Sequence, residues 1–87
     1  MLQVTQAASQ YLNDMLVRVK APLDAAVRIV PKGEDGGLAT KLDEERDGDQ
    51  HFACDGRTVL VLDAQVAMAL AEQTLDVAEN GQRLVIA

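Results

Sequence analysis

Apolar residues recur at intervals of three and four along the first segment of the chain. Between Thr5 and Lys20 they are Ala7, Ala8, Tyr11, Leu12, Met15, Leu16 and Val19. This spacing places them on one face of a helix. Thr5 is suited to the N-cap, because its hydroxyl can accept a hydrogen bond from a free amide of the first turn. Pro22 is predicted to stop the helix, since proline disfavours helical geometry in the residue before it.

The next segment predicts two strands around a glycine-rich loop. Ala25–Val30 is apolar at both parities, which is typical of a buried strand, and Pro31 is predicted to end it. The loop Pro31–Gly37 holds three glycines and two adjacent carboxylates. Leu38–Leu42 predicts a weaker strand after the loop. Asp43–Gln50 contains five acids and predicts an exposed, mobile connection.

A strong hairpin pattern follows. The pair Asp55-Gly56 lies between His51–Cys54 and Arg57–Leu62, and it fits a two-residue turn with positive φ at both central positions. The second of these strands is apolar on both faces and is therefore predicted to be central. Asp63 is a candidate N-cap for a short helix, Ala64–Ala71, which is apolar almost all round and is predicted to be mostly buried.

The chain closes with a second predicted hairpin. Thr74–Ala78 and Arg83–Ile86 flank Asn80-Gly81, again a preferred turn pair. Most strand connections are too short for parallel crossovers, so antiparallel pairing is expected to dominate. The predicted fold is β-rich α+β, with small mixed, mostly antiparallel sheets and two helices in a single domain, 1–87.

The amino-acid composition excludes several classes of binding partner. The net charge is −6, with fourteen acids against eight bases, and an acidic surface repels nucleic acid and anionic lipid. No stretch approaches the roughly 20 apolar residues of a membrane span, and the first residues lack the pattern of a signal peptide. We therefore expect a cytoplasmic protein that binds neither nucleic acid nor membrane. Cys54 is the only cysteine, which excludes a disulfide within the chain and a multi-thiolate zinc site.

Four stretches together resemble a known family. They are LQVTQAASQYLNDML, VRIVPKGEDGGLATKL, FACDGRTVLVLD and LDVAENGQRLVIA. In order and spacing they are similar to the HesB/IscA-like family, the A-type iron–sulfur carriers and their relatives. The resemblance implies a first short strand and helix, a strand–loop–strand unit, a hairpin ending in an aspartate that starts a short helix, and a closing hairpin.

The resemblance also implies iron or iron–sulfur binding through three cysteines, which this sequence lacks. One would lie in the glycine loop, in a context like Gly-Cys-Ser-Gly, and two would form a Cys-x-Cys near the C-terminus. Here the loop is Gly33-Glu34-Asp35-Gly36, with Glu34 where the first cysteine would stand, and the sequence reaches Ala87 without the pair. Cys54 aligns with no ligand. One carboxylate cannot replace three soft thiolates, so the chain is predicted to be a degenerate member without a cofactor.

We therefore predict a non-catalytic protein that acts through protein–protein contacts linked to iron–sulfur biogenesis. The edge strands and the loop are the expected contact surfaces, with Gly33, Glu34, Asp35 and Gly36 as the candidate binding residues. A homodimer is left open. No acid–base pair or activated nucleophile can be placed, so we do not expect an enzyme.

The alternative is a metal-binding protein. In that hypothesis Glu34, Asp35, Asp49 and His51 hold one Fe²⁺ or another divalent ion. The simpler interpretation of the loop acids is a solvated turn, where carboxylates and glycines are common.

Overall fold

The computed structural model describes residues 1–32, 37–81 and 83–87. Its elements in chain order are β1 (Gln3–Val4), α1 (Gln6–Arg18), β2 (Ala25–Lys32), β3 (Gly37–Glu44), β4 (Gln50–Cys54), β5 (Arg57–Leu62), α2 (Ala64–Ala69), β6 (Thr74–Val77) and β7 (Leu84–Ile86). None of the described helices is long and apolar enough to cross a membrane.

The strands form two sheets. One has four strands in the order β3-β2-β5-β4, and the other has three in the order β1-β6-β7. The pairs β2–β3, β4–β5 and β6–β7 are antiparallel, whereas β1–β6 and β2–β5 are parallel. The predicted α+β fold with mixed, mostly antiparallel sheets is confirmed.

Helix α1 begins as predicted and ends by a different device. The Thr5 hydroxyl accepts a hydrogen bond from the Ala8 amide at 3.1 Å. At the other end Lys20 has a positive φ of 57°, and the Ala21 amide donates to the Leu16 carbonyl at 2.9 Å. This left-handed residue and its reverse bond form a Schellman-type cap. The helix therefore stops before Pro22 can act on it.

The core lies between α1, α2 and the inner face of the four-stranded sheet. The largest fully buried side chains of the described residues are Leu12, Leu16, Val59, Leu60, Val61, Leu62 and Leu75, and all but Val61, which pairs with Arg28, belong to this core. Strand β5 lies between β2 and β4 and contributes four of these seven, which confirms the prediction of a central apolar strand. Such burial is the main favourable contribution to the stability of a small domain.

Two strand boundaries differ from prediction. Strand β2 continues through Pro31, which pairs with Leu38, to Lys32. Proline is tolerated there because β5 pairs with β2 only at Val27 and Arg28, so the end of β2 has a neighbour on one side only. Strand β3 extends to Glu44. It therefore includes the first two residues of the segment that was predicted to be a connection.

The first hairpin matches its prediction, because Asp55 and Gly56 have φ of 54° and 79°. In the second pair Gly81 alone has a positive φ, 69°, and its amide donates to the Ala78 carbonyl at 2.8 Å. The predicted second hairpin is confirmed, since β6 and β7 pair in antiparallel fashion. The hydrogen bond between Gly81 and Ala78 marks a four-residue turn, 78–81, with the glycine in its last position.

Helix α2 is shorter and less buried than predicted. Asp63 is its N-cap, as expected, and accepts from the Val66 amide at 2.9 Å. Val66 and Ala67 are buried, but Met68 is 80% exposed. The prediction of a mostly buried helix is wrong, because only one side of α2 packs against the core.

Candidate functional site

An apolar cleft lies between the two sheets, beside the β2–β3 hairpin. Its volume is about 350 Å³ and it is lined by Ile29, Leu38, Ala39, Thr40, Leu75, Leu84 and Ile86. These residues come from β2 and β3 on one side and from β6 and β7 on the other. The cleft therefore joins the hairpin that carries the glycine-rich loop to the last strand of the sequence.

The chemistry of the cleft is that of a binding surface. Ile29 and Leu75 are buried at 3% and 1% exposure, whereas Leu38 at its side is 40% exposed. Thr40 supplies the one side-chain hydroxyl among the lining residues, and none of them is titratable. A cleft of this kind can accept apolar side chains, but its described lining offers no acid, base or nucleophile.

The loop residues predicted to bind, Gly33, Glu34, Asp35 and Gly36, lie outside the described residues. The last described pair before them is Lys32 with Gly37. Their role as a binding site stays a prediction. The metal hypothesis that includes Glu34 and Asp35 likewise stays untested at those two positions.

The other two residues of the metal hypothesis have partners of their own. The Asp49 carboxylate receives two hydrogen bonds from the Arg28 guanidinium, at 2.6 and 3.3 Å. The His51 ring lies 3.3 Å from the Glu45 carboxylate and its side chain is 56% exposed. Among the residues that the structure describes, no group of three or more His, Cys, Asp or Glu is placed to hold a metal ion.

Arg28 is the centre of an ion-pair network that the sequence analysis missed. The residue is 3% exposed. Besides its two bonds to Asp49, its Nε donates to Asp43 at 2.9 Å and its Nη2 donates to the Glu44 carbonyl at 3.0 Å. Arg46 adds a second cation, 2.9 Å from Asp43. The network ties the turn after β3 onto the outer face of the four-stranded sheet.

The hydrogen bonds of this network shift its pKa values. The Arg28 side-chain bond holds the pKa of Asp49 below its usual value. The pKa of Asp43 is also lowered, first by the backbone amide of Glu44 and then by Arg28. The bond to Asp49 raises the pKa of Arg28. All three shifts favour the charged forms, so the network is a stable set of ion pairs at neutral pH.

The prediction of an exposed connection at Asp43–Gln50 is confirmed for residues 44–48, which are exposed, and is wrong for the two aspartates that bind Arg28. The Asp49 and Asp43 side chains are only 4% and 18% exposed. A signal for the network was present in the sequence. Arg28 interrupts an otherwise apolar buried strand, and a buried guanidinium requires acceptors. The acid-rich segment shortly after β3 was the natural source of them.

The single thiol lies away from the cleft. Cys54 ends β4, where it pairs with Arg57 across the turn, and it is half-buried. Strand β4 is at the opposite edge of the sheet from β3. Three strand spacings separate them, which amounts to about 14 Å. That Cys54 matches no family ligand stays a prediction.

Comparison with known proteins gives a match in structure alone. No protein-family model matches the sequence, and no curated protein matches it significantly. The structure is similar to Escherichia coli SufA, a protein involved in the biosynthesis of iron–sulfur clusters. The TM-score is 0.68 at 25% identity, over 99% of this chain and 81% of the SufA chain.

A second similar structure is IscA, solved with a [2Fe-2S] cluster. Its TM-score is 0.62 at 21% identity, over 99% of this chain and 81% of the IscA chain. Both likenesses cover nearly all of the chain and therefore include both sheets and both helices. The predicted resemblance is confirmed: this chain has the HesB/IscA-like fold of the A-type iron–sulfur carriers.

Proposed function

We propose that this protein is a non-catalytic HesB/IscA-like protein that works through protein–protein contacts in or near iron–sulfur cluster biogenesis. We further propose that it holds no cluster of its own. One observation carries the proposal. The β2–β3 hairpin and β7, the segments that by resemblance lead to the cluster cysteines, line one open apolar cleft, whereas Cys54 lies across the sheet.

The ligand chemistry supports the second part of the proposal. Iron–sulfur clusters are held by several thiolates, or by thiolates with imidazoles. The 87 residues contain one cysteine and one histidine. Cys54 and His51 both lie on β4, at the far edge from the cleft. A single thiolate there cannot supply the ligand set of a cluster.

The proposal of a non-catalytic protein rests on the titratable groups. Carboxylates with lowered pKa values are present, but each has a structural partner. Asp43 and Asp49 bind Arg28. The pKa of Asp76 is lowered by the Val77 amide and the Thr5 hydroxyl, so Asp76 holds the start of α1 against β6. Strongly perturbed groups can mark active sites, but these serve the fold.

The proposed contact surface is the cleft together with the loop between β2 and β3. Apolar side chains of a partner would fill the space between the sheets, and the loop acids would set its charge preference. An acidic chain of net charge −6 is suited to basic rather than acidic partner surfaces. We place this activity in the cytoplasm, as the sequence analysis predicts.

The test is affinity capture from the native cell with three tagged forms. The first is the wild type. The second carries Glu34→Ser with Asp35→Ser, which removes both carboxylates of the loop. The matched control, Asp47→Ser with Glu72→Ser, loses two carboxylates at exposed positions outside the cleft.

We expect wild type and control to retain the same proteins of iron–sulfur biogenesis, identified by mass spectrometry, and the loop variant to lose them at least tenfold. Capture of no such protein by the wild type would contradict the proposal. Equal retention by the loop variant would contradict the assigned surface. Circular dichroism establishes that all three forms are folded.

A further inference from the structure

The end of helix α1 and the turn after it carry exposed apolar side chains that the core does not use. Seven large apolar side chains of the described residues are exposed, and three of them lie within residues 17–23. They are Val17 at 61%, Val19 at 53% and Leu23 at 82%. Single exposed apolar residues are common, whereas a group of them marks a surface that another molecule covers. We call residues 17–23 the helix-end surface.

Two unpaired cations belong to the same surface. Arg18 and Lys20 are exposed, and the sequence between Asp14 and Asp24 contains no acid. In the part of the chain that the structure describes, neither cation has an ion-pair partner. The helix-end surface is therefore locally positive, although the whole chain has a net charge of −6.

The turn that carries Leu23 is fixed by hydrogen bonds. The Ala25 amide donates to the Pro22 carbonyl at 3.0 Å, which closes a tight turn around Leu23. From β5, the Arg57 guanidinium donates to the same Pro22 carbonyl at 2.8 Å. Its Nη2 also lies 3.3 Å from the carbonyl oxygen of Ala21 and 3.4 Å from that of Ala25. The leucine is therefore displayed on a backbone that needs little further ordering when a partner binds.

Carboxylates lie on the other side of Leu23. This residue lines a cavity of about 260 Å³ together with Asp24, Glu44 and Glu45. Glu44 is the last residue of β3, and Glu45 follows it. A molecule that covers Leu23 therefore meets positive charge on the α1 side and negative charge on the β3 side. Such a charge pattern favours one orientation of a bound partner.

We propose that the helix-end surface binds a partner protein that has an apolar pocket for Leu23 and, beside that pocket, carboxylates for Arg18 and Lys20. This surface, unlike the chain as a whole, suits an acidic partner. Burial of the three exposed apolar side chains supplies the attraction, and the opposite charges steer and orient the partner. The inference goes beyond the proposed function, which uses the cleft and the loop between β2 and β3.

A membrane surface matches this charge pattern less well. The anionic headgroups of a bilayer form a continuous negative layer. A bilayer that buried Leu23 would also bring headgroups against the carboxylates of Asp24, Glu44 and Glu45, and like charges repel. A protein can place its carboxylates on one side of a pocket only, so these observations favour a protein partner.

The test is photo-cross-linking in the native cell, with p-benzoylphenylalanine in place of Val19 in a tagged chain. Mass spectrometry identifies the linked protein and the peptide that carries the link. The control position is Gln65, which is exposed on α2. We expect position 19 alone to link one protein, at a peptide with apolar residues and carboxylates. No link from position 19, a linked peptide without acids, or the same protein linked from both positions would overturn the proposal.

Affinity for the purified linked protein is then measured by isothermal titration calorimetry. Arg18→Glu with Lys20→Glu should raise the Kd at least tenfold, and so should Leu23→Ser. The matched control, Lys32→Glu with Arg83→Glu, reverses two exposed cations outside the surface and should change the Kd less than threefold at physiological salt. Circular dichroism establishes that all forms are folded. Losses as large in the control as in the variants would overturn the proposal.

Flotation with phosphatidylcholine vesicles that contain one third phosphatidylserine tests the membrane directly. We expect the chain to stay unbound. Flotation of the wild type that is lost in Arg18→Glu with Lys20→Glu would overturn the proposal and assign the surface to a membrane. The cleft proposal and this one can fail separately, because the loop variant leaves the helix-end surface unchanged and the helix-end variants leave the cleft unchanged.

Discussion

The two faces of the β2–β3 pair differ in how far their side chains are buried and paired. On the outer face Arg28 and Asp49 are nearly fully buried, and each charge has a partner from the same chain. On the inner face, the cleft of about 350 Å³ is left open, and Leu42 on this side of β3 is half exposed. On the outer face the buried charges are all paired within one chain. The inner face exposes apolar surface that a partner could cover.

This difference separates residues that hold the fold from residues that are available for function. Buried ion pairs are strongly destabilising when one partner is removed, because the other charge stays buried without compensation. Partly exposed apolar side chains cost little to change in the monomer, but they contribute to association. The predictions below test that separation, from the largest expected effect to the smallest.

Replacement of Arg28 by leucine should cost about 3 kcal/mol of unfolding free energy, because the nearly fully buried Asp49 carboxylate then loses its guanidinium partner. The measurement is urea unfolding followed by circular dichroism. Lys41→Leu is the matched control, since Lys41 is 55% exposed and lies 3.9 Å from the same Asp43. Its expected cost is below about 0.5 kcal/mol. Equal costs for the two variants would contradict the claim that the buried ion pairs of Arg28 stabilise the fold.

The same network should make stability depend on acid pH. Asp43 and Asp49 have folded-state pKa values below the ordinary 3.8. Their contribution is therefore fully present above that ordinary value and is lost as the pH falls through the lowered values. We expect the unfolding free energy of the wild type to drop between pH 5 and pH 2.

The Arg28→Leu variant provides the comparison for this pH dependence. Without the guanidinium the lowered pKa of Asp49 loses its largest cause and that of Asp43 loses one of its causes, so the variant should show a shallower loss of stability on acidification. Urea unfolding at several pH values measures both slopes. Parallel slopes would mean that Arg28 does not set the pKa values of these carboxylates.

The smallest effect on stability is expected in the cleft. Leu38→Ala removes a side chain that is 40% exposed, so the cost to the monomer should be about 0.5–1 kcal/mol. Ile29→Ala, on the same face but 3% exposed, should cost about 2–4 kcal/mol. Urea unfolding under monomeric conditions measures both. A Leu38 cost as large as that of Ile29 would show that the Leu38 side chain is part of the core.

Much of the fold was predictable because local and tertiary preferences agree. The spacing of Leu12 and Leu16, the N-caps Thr5 and Asp63, and the Asp55-Gly56 turn all correspond to short-range physics. The resemblance supplied the order of the elements, including the short strand β1 that two residues could not predict by periodicity.

The predictions were wrong where contacts between distant parts of the chain determine the local structure. Pro31 stays in β2 because that end of the strand has one neighbour. Met68 is exposed because α2 packs on one side, which its apolar composition does not reveal. The Arg28 network joins residues 15 and 21 positions apart, and no local pattern connects them. The cleft also depends on two separate sheets, so its lining could not be assembled from the sequence.

The most direct test of the central claim, that this fold is kept without a cluster, is anaerobic reconstitution with excess Fe²⁺ and sulfide. After desalting, iron and acid-labile sulfide are measured per chain, with Cys54→Ser and Asp49→Asn as comparison variants. We expect well below one iron and one sulfide per chain, no visible absorption, and no difference among the three forms. A coloured, sulfide-containing protein whose colour is lost in Cys54→Ser would contradict the claim. Stoichiometric iron without sulfide, lost in Asp49→Asn, would establish the divalent-metal alternative instead.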